Sequence, residues 1–238
     1  MRTAYTVFRN LYNVRKMTMK LVLASGSQRR RELLTMCGYD YEIIVSNADE
    51  TIDENDPESF VRALSFRKAK EVFDRLFAAG RRDFAVIGSD TVVAFQKEGG
   101  TKPVIIGKPK DAKDAVHILS MLSGKTHRVF TGVSVIADIT DENAAAQCSI
   151  REKAEIQTEC SITEVTFETL SPDEITDYVN SGDPLDKAGS YGIQGPFGMF
   201  VREIRGNYFT VIGMPIPVLY KMLKKIGILP HGFYERIE

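Results

Sequence analysis

Leu21-Val22-Leu23-Ala24-Ser25-Gly26-Ser27-Gln28-Arg29-Arg30-Arg31-Glu32-Leu33-Leu34 passes from an uninterrupted apolar run through a turn of small residues into a segment with helical spacing. The run Leu21 to Ala24 reads as a strand buried on both faces. Ser27 is a good N-cap, Leu33, Leu34 and Cys37 form one apolar stripe, and Gly38 ends it, so a helix is expected from about Gln28. Three arginines in the first turn are out of place. The N-terminal end of a helix presents unpaired N–H groups and positive dipole charge, and each cation there costs about 0.3–1 kcal/mol. An anion at the same place removes that cost. Strand, small turn, helix N-terminus and guanidinium groups together suit a phosphate, with Ser25, Ser27, Arg29 and Arg30 as the candidate contacts. The competing reading of these residues alone is a solvated basic turn.

The same alternation continues along the chain. Asp56-Pro57-Glu58 supplies a cap, an N1 proline and a first-turn acid for a helix to about Ala79. Phe84 to Ile87 and Thr91 to Phe95 read as two strand runs broken by Gly88-Ser89-Asp90. Asp111 opens a helix that stops near Gly124, and Val129 to Ile139 returns as a strand. Residues 140–156 look like a hairpin tip or loose loop, followed by an alternating strand from Glu159 to Leu170. Ser171-Pro172-Asp173-Glu174 is a capping box, Gly189 to Gly213 is rich in glycine, and Ile216 to Ile226 is a basic amphipathic helix. Strands alternating with helices predict an α/β fold with a mixed, twisted sheet and flanking helices. Residues 20–228 are expected to form one folded unit, with an N-terminal extension at 1–19 and a tail at 229–238.

Composition narrows the class of function. The 238 residues are 43% hydrophobic, enough for a substantial core. Cys37, Cys148 and Cys160 form no CxxC pair and leave an odd thiol, which argues against a disulfide framework and against zinc. With a net charge of −1, phosphate must be met by local patches, and no stable nucleic-acid partner is expected. No stretch approaches the roughly 20 apolar residues of a membrane span. Cytoplasmic residence is the expectation. The basic first twenty residues, which lack any acid, leave a mitochondrial presequence as the alternative.

Asp90 is the leading candidate for chemistry, because a carboxylate among strand residues needs a charged partner, a hydrogen bond or a metal. The competing reading is a turn aspartate. The acidic segment Asp49 to Asp56 could share a hard divalent cation with it. Lys68 on the long helix and Lys108 in Gly107-Lys108-Pro109 are candidate phosphate contacts, each equally readable as a surface lysine. Gly100 to Lys108 fails the P-loop pattern in spacing and in the residue after the lysine, and no GxGxxG occurs. Asp186-Lys187-Ala188-Gly189-Ser190-Tyr191-Gly192-Ile193-Gln194-Gly195 joins a charged pair, permissive glycines and an amide that can both donate and accept. It reads either as a base-reading or phosphate-closing loop or as a structural turn packed by Tyr191. His127 has no partnered nucleophile in view and reads as a packed residue.

Taken in order with Ser123-Gly124-Lys125-Thr126-His127 and Val211-Ile212-Gly213-Met214-Pro215, these segments resemble the Maf family of nucleotide pyrophosphatases, over Lys20 to about Ile228. The resemblance implies an α/β fold with a deep cleft, akin to the inosine-triphosphatase-like group. It implies hydrolysis of a nucleoside triphosphate to the monophosphate and pyrophosphate, with magnesium or manganese as the divalent cation, and a homodimer. Asp90 matches the family's catalytic aspartate, and Glu50 with Asp90 the metal position. Lys68, Lys108 and Lys187 match polar cleft positions, and Arg29, Thr91 and Gln194 match the branch similar to dTTP/UTP pyrophosphatases. Ser89, Ser190 and Pro196-Phe197 depart from the usual pattern. A nucleotide-binding regulator without turnover is the alternative function, and a single-stranded RNA module using Tyr191, Phe197 and Arg202 is a third.

Overall fold

β1 (Lys20–Leu23) lies between β2 (Tyr41–Ile43) and β3 (Phe84–Phe95), parallel to both. The structure is a computed structural model that describes residues 19–96, 99–100, 102–139 and 154–231. Beyond β3 the sheet becomes antiparallel through β5 (Thr126–Asp138), β6 (Ala154–Phe167) and β7 (Val201–Arg205). Short β4 (Val104–Ile106) pairs with the distal end of β3. The order among the described residues is β2-β1-β3-β5-β6-β7, so the mixed α/β sheet is as expected. β5 and β6 pair out to Asp138 and Ala154, so β6 begins inside the stretch 140–156 expected to be a loop, five residues before the expected strand start at Glu159. The expectations for residues 1–18, for the tip at 140–153 and for the tail from 232 lie outside the described residues.

Six helices flank this sheet among the described residues: α1 (Gln28–Met36), α2 (Pro57–Ala78), α3 (Ala112–Leu122), α4 (Pro172–Asn180), α5 (Tyr208–Ile212) and α6 (Ile216–Lys225). The pleat of β1 divides them. Leu21 and Leu23 pack with Leu33 and Leu34 of α1 and Leu219 and Leu223 of α6, while Val22 and Ala24 pack with Ala69, Val72 and Phe73 of α2. Burial on both faces explains the unbroken apolar run. Asp56 caps α2 through Ser59 N, Asp111 caps α3 through Asp114 N, and the capping box at Ser171 and Glu174 is fully formed. α3 and α4 cover the far end of the sheet around Phe95, Phe167 and Phe197.

One expectation is corrected here. The two runs on either side of Gly88-Ser89-Asp90 are a single twelve-residue strand, and Asp90 sits mid-strand. Gly88 is there because α2 crosses close above it. A Cβ at Gly88 would collide with the Ser65 carbonyl and stand 2.7 Å from Ala69 N, and one at Gly132 on β5 would meet the Val61 carbonyl. Glycine in this strand marks a backbone approach, not a break.

Candidate active site

The pairing of β3 with β1 ends at Leu23 and Ile87, and its pairing with β4 begins at Val93 and Ile106. Between those limits, residues 88–92 are paired only on the β5 side. The gap opens just beyond the C-terminal end of β1, the usual place for a ligand crevice in an open α/β sheet. Strand alternation turns Asp90 to the α2 face and Thr91 to the α1 face. Both line the same cavity, because the sheet is open between them.

On the α2 face, Lys68 Nζ bonds Asp90 Oδ1 at 2.7 Å and Glu50 Oε1 at 3.0 Å. The Lys68 and Asp90 side chains are each only 11% exposed, so the pair is largely desolvated and each charge depends on the other. The close approach allowed by Gly88 and Gly132 is what brings α2, and Lys68 with it, down onto Asp90.

On the other face the three arginines take three different partners. Arg30 donates from Nε to Gly213 O at 2.9 Å, from Nη1 to Ser25 Oγ at 3.1 Å and from Nη2 to Thr91 Oγ1 at 3.4 Å. Burial pulls its pKa below the usual guanidinium value, and the Asp90 carboxylate opposes that pull. Arg29 reaches Asp186, and Arg31 turns back to Gly26 O and faces away. Ser27 occupies the N-cap position, yet its side chain makes no cap bond. Ser25 Oγ takes the Ser27 N–H, and Ser27 itself lines the cavity.

The glycine-rich loop closes the opposite wall. Lys187 Nζ is held by the Asp183 carbonyl, by Asp183 Oδ1 at 3.0 Å and by Asp186 Oδ1 at 2.7 Å. Tyr178 donates to Asp183 Oδ2 and accepts from Gly192 N, which fixes the loop from behind. Gly189 N donates to Gly107 O and so places Lys108 beside it. Gly189 has φ 72° and Ser190 φ 61°, two successive left-handed residues, of which only the first suits its conformation freely.

His127 supports this wall. Its Nε2 lies 3.0 Å from Tyr191 Oη, and its ring meets Phe167 and Tyr191 edge-on. Burial pushes its pKa down from 6.5 to about 3. The folded state therefore refuses a proton that the unfolded chain accepts below about pH 6.5, so stability falls with decreasing pH between about 6.5 and 3. Denaturant melts across that range should show a smaller acid-side slope for His127→Phe than for the parent protein. Identical slopes would rule out His127 as the source.

Ser27, Arg29, Arg30, Glu50, Lys68, Asp90, Thr91, Lys108, Lys187 and Gln194 all line one cavity of about 130 Å³, and Ser25 stands behind it on Arg30. A second cavity of about 690 Å³ shares Glu50, Asp90, Thr91 and Lys108 with it and runs between α2 and β4. Five cations and three carboxylates line the first, which leaves it two positive charges in excess. Such a surface selects a polyanion. Lys108 has no ion-pair partner among the described residues. Asp186, Asp183 and Tyr178 were not among the expected site residues. The signal for Asp186 was the adjacent carboxylate beside a candidate phosphate lysine; nothing local marked Tyr178.

A dTTP/UTP pyrophosphatase of Agathobacter rectalis is 40% identical over 217 residues, covering 88% of this chain and 98% of that protein. One of Bacillus thuringiensis subsp. konkukian is 42% identical over 210 residues, covering 88% and 96%. Among solved structures, that of the Staphylococcus aureus Ham1 protein aligns with 87% of this chain and 99% of its own, at 14% identity and a TM-score of 0.46. The family model described as Maf-like protein matches residues 20–226, and the chain belongs to that family.

Proposed function

We propose that this protein hydrolyses pyrimidine nucleoside triphosphates, dTTP and UTP foremost, to the monophosphate and pyrophosphate. The observation that carries the reading is the convergence of Arg30, Lys68 and Asp90 on one cavity that also holds Arg29, Lys108 and Lys187. The names of the relatives point to the same reaction. Arg30, Lys68 and Lys108 neutralise the phosphate oxygens, and Arg29 and Lys187 add positive potential from the rim. Asp90 orients a water and takes its proton as the new P–O bond forms, and the bond to the departing pyrophosphate breaks with its charge already compensated. Lys68 holds the Asp90 carboxylate in place for that step. Positioning and fixed charge supply the acceleration, and no covalent intermediate is required.

Glu50 and Asp90 are the residues that would hold a divalent cation, magnesium or manganese. Their hard oxygen donors fit such an ion, and their shared contact with Lys68 Nζ brings the two carboxylates close together. No group of three or more metal-binding side chains occurs among the described residues, so water and substrate phosphates would complete the shell, as is usual for magnesium. When bound, the ion supplies further neutralisation of phosphate charge. A homodimer, which rests on the family resemblance, and cytoplasmic residence, which rests on the odd cysteine count, complete the proposal; among the described residues no helix is long and apolar enough to cross a membrane.

The test is a panel of nucleotides assayed for pyrophosphate release with and without divalent cation. UTP and dTTP should give the highest kcat/KM, above GTP and 7-methyl-GTP. A highest rate on 7-methyl-GTP overturns the substrate assignment, and binding without any pyrophosphate release favours a regulatory nucleotide-binding protein.

A further inference from the structure

Asp186 presents an ordered set of hydrogen-bonding groups at the rim of the cavity. Its Oδ2 accepts from Arg29 Nη1 at 3.3 Å and its Oδ1 from Lys187 Nζ at 2.7 Å. The three side chains and Gln194 line the same cavity. Read across, the sequence of groups is donor, acceptor, donor. The Asp186 side chain is 68% exposed, and a carboxylate has about four lone-pair sites, so the two protein bonds leave acceptor capacity for a ligand. Burial works to raise the Asp186 pKa, but the Lys187 hydrogen bond and the Arg29 charge outweigh it and hold the value below the usual carboxylate range.

The Watson–Crick edge of uracil or thymine runs carbonyl, N3–H, carbonyl, which is acceptor, donor, acceptor. It complements the array at all three positions. Cytosine offers a donor, an acceptor and an acceptor, and so fails at two of them, facing its N3 lone pair toward a carboxylate. The bond count also closes. All three ammonium protons of Lys187 are engaged, two with Asp183 and one with Asp186. A base can enter by exchange: the Lys187 proton on Asp186 Oδ1 moves to a base carbonyl, and N3–H takes its place. No polar group is left unpaired, the condition under which a hydrogen-bonding site discriminates strongly.

We infer that Asp186 is a specificity-determining residue whose carboxylate accepts the N3–H of a uracil or thymine ring while Arg29 and Lys187 donate to the flanking carbonyls. The inference rests on the pyrimidine triphosphate reading above and assigns the base end of that substrate to the Asp186 side of the cavity. Arg29 and Lys187 then bond the base, and Arg30, Lys68 and Lys108 the phosphates.

The test compares UTP, CTP and N3-methyl-UTP by kcat/KM of pyrophosphate release, with the parent protein and with Asp186→Asn. Loss of one charged hydrogen bond should make N3-methyl-UTP worse than UTP by about 10- to 100-fold in the parent protein. In Asp186→Asn, UTP should fall by a similar factor and N3-methyl-UTP little. The CTP to UTP ratio should rise, because an amide can donate to cytosine N3. N3-methyl-UTP turned over as well as UTP by the parent protein overturns the inference and leaves the hydrolase reading intact. An equal loss on all three nucleotides in the variant also overturns it, since that is the signature of Asp186 merely tying the loop to α1. Failure to release pyrophosphate from UTP at all fails the proposed function, and this inference with it.

Discussion

Asp90→Asn should lower pyrophosphate release from UTP by about 10³-fold or more, since it removes the group that takes a proton from the attacking water. The expectation comes from the position of the carboxylate: mid-strand, largely buried, bonded to Lys68 and on the same cavity as Arg30. The amide keeps the size of the side chain and still offers Lys68 an oxygen, and Glu50 remains as the second partner of that ammonium. The variant should therefore fold, melt near the parent temperature and bind UTP. Single-turnover pyrophosphate release alongside UTP binding separates these effects. Turnover within about tenfold of the parent would remove Asp90 from the chemistry, because a positioned general base contributes more than that.

Gly88→Val carries the largest expected loss of stability. Any Cβ at this position meets backbone atoms of α2, which cannot rotate away as a side chain could. Overpacking commonly costs about 1–3 kcal/mol, and a collision with backbone places this substitution at or above the upper end. For a domain of this size that corresponds to a fall in Tm of about 6–12 °C. Gly107→Ala is the control, because nothing lies within 4 Å of its added Cβ. It should melt within about 1 °C of the parent, as surface substitutions usually do. Gly88→Val should also lose activity beyond its loss of stability, since lifting α2 withdraws Lys68 from Asp90. A thermal melt of Gly88→Val that overlays the parent would contradict the packing described here.

Much of the fold was legible because its signals are local. Asp56, Asp111 and Ser171 announce α2, α3 and α4 by capping chemistry that involves only the next three residues. The unbroken run Leu21 to Ala24 announces a strand covered on both faces. The glycine and aspartate of β3 misled for a nonlocal reason: Gly88 answers to a helix about twenty residues upstream, and Asp90 to a lysine on that helix. β2 and β4 have three residues each, too few for alternation to register, and β7 is hidden in a glycine-rich stretch whose turns dominate its pattern.

The same division holds for the candidate site. Residue type and family resemblance pointed to Arg29, Arg30, Asp90, Lys68 and Lys187 one at a time. How they are held could not be read, because the contacts span the chain. Arg29 meets Asp186 across 157 positions, and Arg30 meets Gly213 across 183. Tyr178 behind Asp183 is a helix residue with an apolar ring, and only the fold shows that its hydroxyl anchors the loop bearing Lys187.

The central claim is that the cations at the mouth of α1 and the acid on β3 serve one bound triphosphate. Its most direct measurement is a crystal structure of the Asp90→Asn protein with UTP. The expected density places the triphosphate in the cavity between Arg30 and Lys68, within hydrogen-bonding reach of both and against position 90. A triphosphate seated elsewhere, touching only one side of the opening in the sheet or neither, would contradict it.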